Sequence, residues 1–210
     1  GAVSTDDPVL AERLRLLRNH GMQKCDFVNS DMAMASSGDD NPWYYEMQQL
    51  GYNYRLTDIQ AALGVCQLKR LDWSVQTRNR LAAHYRQLIA ERFDSSVLHP
   101  LVQQGGSVHA YHLFVIQVEF EHFGIDRATV MHRLKAAGIG TQVHYIPIYL
   151  QPYYRKLYGG RPGDLSNTDR YYARALSLPM YPDLNESDCE RVIDELHRIL
   201  NQGNDHHDAP

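Results

Sequence analysis

The run Gly51-Tyr52-Asn53-Tyr54-Arg55-Leu56-Thr57-Asp58-Ile59-Gln60 gathers an amide, a guanidinium and two phenols immediately before a helix start. A helix N-terminus offers free N–H groups and the positive end of the peptide dipoles, which suits an anion. Asn53 and Arg55 can add side-chain donors to a phosphate or carboxylate. A structural reading competes: a tight turn with stacked tyrosines, closed by a capping box of Thr57 and Gln60. Residue types alone favour the structural reading.

A second constellation is His144-Tyr145-Ile146-Pro147-Ile148-Tyr149, followed by Gln151-Pro152-Tyr153-Tyr154-Arg155. Tyrosine hydroxyls and an arginine in a loop can hold a polar ligand such as a sugar or nucleotide. Tyrosine is also common at subunit interfaces, and both readings hold if a site lies at a subunit boundary. His20, near a helix end, fits a cation on the negative end of the helix dipole, a base or a cap, and capping is the commonest role. The other histidines are scattered. No H-x-x-x-H pair, C-x-x-C or G-x-G-x-x-G occurs. The chain therefore offers a polar binding surface but no self-contained catalytic set.

Several elements must position these residues. Asp6-Asp7-Pro8 starts a helix, with Leu10, Leu14 and Leu17 on one face, that ends near Asn19-His20-Gly21. Residues 22–56 show no sustained period. Thr57 to Phe93 is predicted helical, with Ile59, Ala62, Leu63 and Cys66 on one face and Trp73 as the expected bend. Residues 94–111 are predicted as loop, and Leu113 to Phe120 as a strand. A helix over Asp126–Ala137, a short strand over Thr141–Ile146 and a broken segment over 147–165 follow. The last expected elements are a helix over Asn167–Ala175 and one capped by Asn185, with Val192, Leu196, Ile199 and Leu200 inward. Such an order of elements is α/β or α+β in class.

Composition narrows the function classes. The 210 residues are 43% hydrophobic and 22% charged, ordinary globular values. A net charge of −4 carries no electrostatic footprint for nucleic acid. No apolar run approaches the roughly 18 residues of a membrane span. Three cysteines, Cys25, Cys66 and Cys189, are too few and too widely spaced for a disulfide scaffold. They suit a reducing compartment, so the cytoplasm is expected. Gly1-Ala2-Val3-Ser4 reads as a strand already under way: either the chain begins inside a larger fold or the leading glycine is an added residue, and composition does not decide between them.

The run from Gly51 to Gly64 strongly resembles the motif of the DegT/DnrJ/EryC1/StrS family, the pyridoxal-phosphate (PLP) dependent aminotransferases of nucleotide-linked keto-sugars. Leu17-Arg18-Asn19-His20-Gly21 is similar to the family's Arg-x-His-Gly turn. Gln67-Leu68-Lys69-Arg70-Leu71-Asp72, Tyr111 to Ile116, Gly138 to Pro147 and Leu178-Pro179-Met180-Tyr181-Pro182 resemble further family segments. The resemblance covers essentially residues 1–200. Within the family, the wording of Val143–Pro147 and Gln151–Tyr154 is most similar to the branch that aminates a UDP-4-keto-6-deoxy-N-acetylhexosamine in pseudaminic acid synthesis.

The resemblance implies an α/β fold: the C-terminal portion of an aspartate-aminotransferase-like (type I PLP) architecture. The lysine that bonds PLP would lie upstream of Gly1, so the chain alone is expected to be inactive. It implies a domain partition of 1–75 (tail of the large PLP domain), 76–202 (small domain) and 203–210 (flexible tail). It assigns Asn53 to the PLP phosphate of the partner subunit in a homodimer. It assigns His144, Tyr145, Ile146 and Pro147 to the sugar substrate. Arg55 either orients the turn or meets an acidic substrate group. The implied activity is transamination of a nucleotide-linked keto-sugar with glutamate as donor, involving neither nucleic acid, metal nor membrane. A PLP-dependent sugar dehydratase of the same family and a non-catalytic module binding a partner or nucleotide-sugar are the alternatives. One departure is the segment 29–45, whose Ser-Gly-Asp-Asp-Asn-Pro run looks longer than usual.

Overall fold

The computed structural model describes residues 2–34, 37–38, 41–103, 105 and 108–204. The chain divides into two compact units, 1–68 and 69–210.

In the first unit, helix α1 (Pro8–Arg18) starts where the Asp7 carboxylate accepts from the Val9 and Leu10 amides, at 2.9 and 3.2 Å. Pro8 costs nothing there, because a first-turn N–H has no helical partner. The helix ends at Asn19, and His20 and Gly21 then turn the chain with positive φ. Strands β1 (Met22–Gln23) and β2 (Glu46–Met47) pair antiparallel, Met22 against Met47. The short helix α2 (Ser30–Ala33) falls inside the long segment 29–45, of which residues 35–36 and 39–40 lie outside the described part. Helix α3 (Asp58–Leu68) begins with the expected capping box. The Thr57 amide donates to Gln60 Oε1 at 3.0 Å, and the Gln60 amide to Thr57 Oγ1 at 3.3 Å. The predicted apolar stripe of α3 is exposed, Ile59 at 77%.

The second unit is built on an antiparallel sheet in the order β3-β4-β5. Its strands are β3 (Leu98–Pro100), β4 (Phe114–Val118) and β5 (Ala175–Leu178). β4 is central and all five of its residues are buried. Phe114, Ile116 and Val118 join a core supplied by α4 (Leu71–Arg92), α5 (Arg127–Ala136) and α8 (Glu186–Asn204). Leu81 and Tyr85 come from α4, Val130 and Leu134 from α5, and Ile193, Leu196, Ile199 and Leu200 from α8. The Tyr85 ring stacks on Phe114 at 5.0 Å. Asn185 caps α8 as expected: its Oδ1 accepts from the Asp188 amide at 2.9 Å, and Asp188 Oδ2 accepts from the Asn185 amide at 3.1 Å.

Four expectations change. The helix predicted over 57–93 is two helices, interrupted at Lys69-Arg70 rather than bent at Trp73. Trp73 lies inside α4 with the Arg70 guanidinium 4.6 Å over its ring. The strand predicted over 141–146 is a single bridge, Gln142 to Ser177. The ladder stops there because His144 turns its groups to side chains: its carbonyl accepts from the Tyr171 hydroxyl at 3.2 Å. The region 94–111 contains β3, an edge strand that ends at Pro100, where a missing N–H is tolerated. Ala175, expected as the end of a helix, instead opens strand β5, which runs to Leu178. Helix α8 runs to Asn204, and residues 205–210 of the expected tail lie outside the described residues.

Leu196 is fully buried beneath the sheet. Leu196→Ala should lower the unfolding free energy of this unit by about 3 kcal/mol, read from a urea titration of Tyr and Trp fluorescence.

Candidate functional site

Arg18-Asn19-His20-Gly21 and Gly51-Tyr52-Asn53-Tyr54-Arg55 lie against each other as two backbones. The Tyr52 amide donates to the Leu17 carbonyl at 2.7 Å, the His20 amide to the Tyr52 carbonyl at 2.9 Å, and the Tyr54 amide to the Arg18 carbonyl at 2.9 Å. Asn19 and Asn53 form an antiparallel bridge. The approach is so close that neither glycine can carry a side chain. A Cβ on Gly51 would lie 2.3 Å from the Gly21 nitrogen, and one on Gly21 would lie 1.8 Å from the Gln49 carbonyl oxygen. Gly21 also has φ +67°, a region L side chains rarely adopt.

This seat sets the side chains of the turn. Tyr52 and Tyr54 stack face to face, 5.0 Å apart and 6° from parallel. Arg55 Nη1 donates to Asn19 Oδ1 at 3.1 Å, which ties the guanidinium to the opposite strand. The capping box consumes two of the first-turn amides of α3. The helix end is thus less open to an anion than a bare N-terminus. The exposed Asn53 side chain makes no hydrogen bond among the described residues, and its amide is a donor without a committed acceptor.

A buried carboxylate underlies this region, and sequence reasoning did not single it out. Glu46 is only 7% exposed. Its oxygens accept from the Val28 and Asn29 amides at 2.7 Å each, from the Tyr44 hydroxyl at 2.9 Å and from Gln48 Nε2 at 3.0 Å. Burial opposes the charge. The donors from Gln48, Val28, Asn29 and Tyr44 outweigh it and hold the carboxyl at about 2. The Tyr44 phenol is pushed up by burial and by the Glu46 carboxylate beside it. Its donors Val28 and Asn29 lie 18 and 17 residues away, so no local pattern in the sequence marks it.

In the second unit, the expected substrate residues divide by exposure. Tyr145 and Ile146 are 71% and 51% exposed, whereas Pro147 is buried. The half-buried His144 places Nδ1 2.8 Å from Ser177 Oγ. Tyr145, Ile146 and Pro147 line a cleft of ≈ 580 Å³, shared with Tyr149, Tyr154, Tyr158 and Tyr171. The segment 147–165, expected as broken, holds a 3₁₀ turn at Ile148–Leu150 and helix α6 (Pro152–Tyr158), started by Pro152 and stopped by Gly159 at φ +74°. Asn53 and Arg55 lie on the first unit and His144–Pro147 on the second. Among the described residues no group of three or more His, Cys, Asp or Glu could hold a metal ion.

The profile of the DegT/DnrJ/EryC1/StrS aminotransferases matches residues 1–197. The chain belongs to that family. It is 37% identical over 201 residues to the spore coat polysaccharide biosynthesis protein SpsC of Bacillus subtilis, covering 95% of this chain and 49% of SpsC. Among solved structures, Helicobacter pylori PseC, an aminotransferase involved in the biosynthesis of pseudoaminic acid, superposes with TM-score 0.78 at 28% identity, over 94% of this chain and 48% of PseC. DesI, solved in the presence of its TDP-sugar product, gives TM-score 0.72 at 26% identity, over 97% and 46%. The chain spans about half the length of the relatives it matches. Its mixed α/β architecture is consistent with the C-terminal portion of the PLP-dependent aminotransferase fold.

The DegT/DnrJ/EryC1/StrS aminotransferases use PLP. The donors on the Gly51–Arg55 turn, an uncommitted amide and an exposed guanidinium with no carboxylate among the described residues hydrogen-bonded to either, suit a phosphate.

Because the Glu46 carboxyl is held below its ordinary 4.5, its stabilisation is complete above that value and fades as pH falls through about 2. Glu46→Gln should reduce protection of the Val28 and Asn29 amides by roughly tenfold at pH 7. The difference from the parent should close as pH drops towards 2. Hydrogen exchange resolved to these amides measures both.

Proposed function

We infer that the protein of which this chain forms part transfers an amino group from glutamate to the keto carbon of a nucleotide-linked sugar. It would do so as a PLP-dependent homodimer in the cytoplasm. The observation that carries the reading is the Gly51–Arg55 turn: a donor amide projecting from a backbone seat that admits no side chain, within a family match over residues 1–197. DesI, solved with its TDP-sugar product, supports a sugar nucleotide as substrate, and the involvement of PseC in pseudoaminic acid biosynthesis supports an amino-sugar pathway. The three free cysteines and the sequence pI near 6.3 support the compartment.

In this reading Asn53 donates its amide to the phosphate of the cofactor held by the partner subunit. Arg55, tied to Asn19, keeps the turn in register and presents its remaining N–H groups outward. Tyr145 and Ile146 offer exposed phenol and aliphatic surface to the sugar. His144, set by its contact with Ser177 Oγ, and buried Pro147 fix the backbone between which those two side chains project. PLP, when bound, supplies the electron sink that stabilises the carbanion of amino transfer.

The full-length protein should show a visible cofactor absorption band that glutamate bleaches and a keto-sugar nucleotide restores. A band indifferent to glutamate would count against transamination. In the same protein Asn53→Ala should weaken cofactor retention by roughly tenfold in a dialysis titration, as expected for one lost hydrogen bond to a charged group. Unaltered retention would remove Asn53 from the phosphate.

A further inference from the structure

Three points of the cleft-forming segment are tied to one helix. Helix α7 (Ser166–Arg174) places Asp169 so that one carboxylate oxygen accepts from the Tyr149 hydroxyl. The other accepts from the Gly163 amide at 2.7 Å. Half a turn further on, the Tyr171 hydroxyl donates to the His144 carbonyl at 3.2 Å. The α7 side chains thereby grip residues 144, 149 and 163, the start, middle and end of the segment carrying Tyr145 to Pro147. Thr168 and Tyr171 of the same helix also line the ≈ 580 Å³ cleft.

At its start the segment is also held by the His144–Ser177 contact at 2.8 Å and by buried Pro147. No residue of the 3₁₀ turn, α6 or α7 is buried, so beyond Pro147 the packing of apolar side chains contributes little to its position. Its shape depends on directional bonds, and the Asp169 bonds are charge-assisted. A carboxylate that receives both a phenol and a backbone amide closes the loop 149–163 at its base. It leaves the exposed faces of Tyr145 and Ile146 outside that closure, flanked by the His144 ring, 4.7 Å from that of Tyr145, and by buried Pro147.

We propose that Asp169 and Tyr149 are positioning residues for the keto-sugar. Their bond, with the Gly163 amide as second donor, holds the lip Tyr145–Pro147 in the geometry that receives the substrate. Neither touches the reacting carbon. Their loss acts on binding of the sugar and leaves reaction with the amino donor alone. The proposal deepens the functional reading above and rests on it for the nature of the substrate.

The test uses the full-length protein carrying Asp169→Asn, Asp169→Glu or Tyr149→Phe, with two readouts. Hydrogen exchange of peptides spanning 144–163 should accelerate in Asp169→Asn and Tyr149→Phe and recover partly in Asp169→Glu. The KM for the keto-sugar nucleotide should rise roughly tenfold in the first two variants, with kcat within about twofold, as expected for one lost charge-assisted bond felt equally by ground and transition states. The rate at which glutamate bleaches the cofactor band should not change. Unchanged exchange in both variants overturns the latch. Faster exchange with an unchanged KM overturns the positioning role. An unmodified protein that bleaches with glutamate but turns over no keto-sugar fails the functional reading instead, and the exchange result still judges the latch.

Discussion

The contact on which the candidate cofactor face depends is one between two backbones. Gly21 and Gly51 pass so close that a single added carbon on Gly51 would sit 2.3 Å from a peptide nitrogen. Three backbone hydrogen bonds and the Asn19–Asn53 bridge require that approach, and the tyrosine stack and the Arg55–Asn19 bond follow from it. Asn53 is therefore placed by the main chain rather than by packing of its own side chain. The Glu46 carboxylate, gathering two amides, a phenol and a side-chain amide, keeps the neighbouring segments in shape.

The second unit works on the opposite principle near its cleft. Its core of sheet, α4, α5 and α8 is apolar and fully enclosed. The cleft segment lies outside that core and is held by polar bonds to α7 and Ser177. A rigid core beside a lip secured by few bonds is a common way to let a binding edge adapt while its base stays fixed. One unit thus presents a side chain from an unyielding turn, and the other presents side chains from a tethered lip.

Local signals in the sequence carried far. The Asp7 and Asn185 caps, the Thr57–Gln60 box and the inward face of α8 all follow from short-range chemistry, and each is present. The stacked tyrosines expected from the bare turn are also present. What escaped was set by distant partners. Ala-Leu-Ser-Leu has little intrinsic strand character and becomes β5 because β4 lies beside it. Thr141–Ile146 has strand character and is diverted by Tyr171 and Ser177. Glu46 and Asp169 are lone acids in sequence, and their donors come from up to 20 residues away. The family resemblance, by contrast, was carried by contiguous motifs, which is why it was legible without any tertiary information.

The claim that the Gly21–Gly51 contact places Asn53 against a cofactor phosphate is tested most directly by Gly51→Ala in the full-length protein, followed by measurement of bound PLP after gel filtration. The account expects the cofactor to be lost while the urea midpoint of the 69–210 unit stays unchanged. Stoichiometric PLP retained through the column would contradict it.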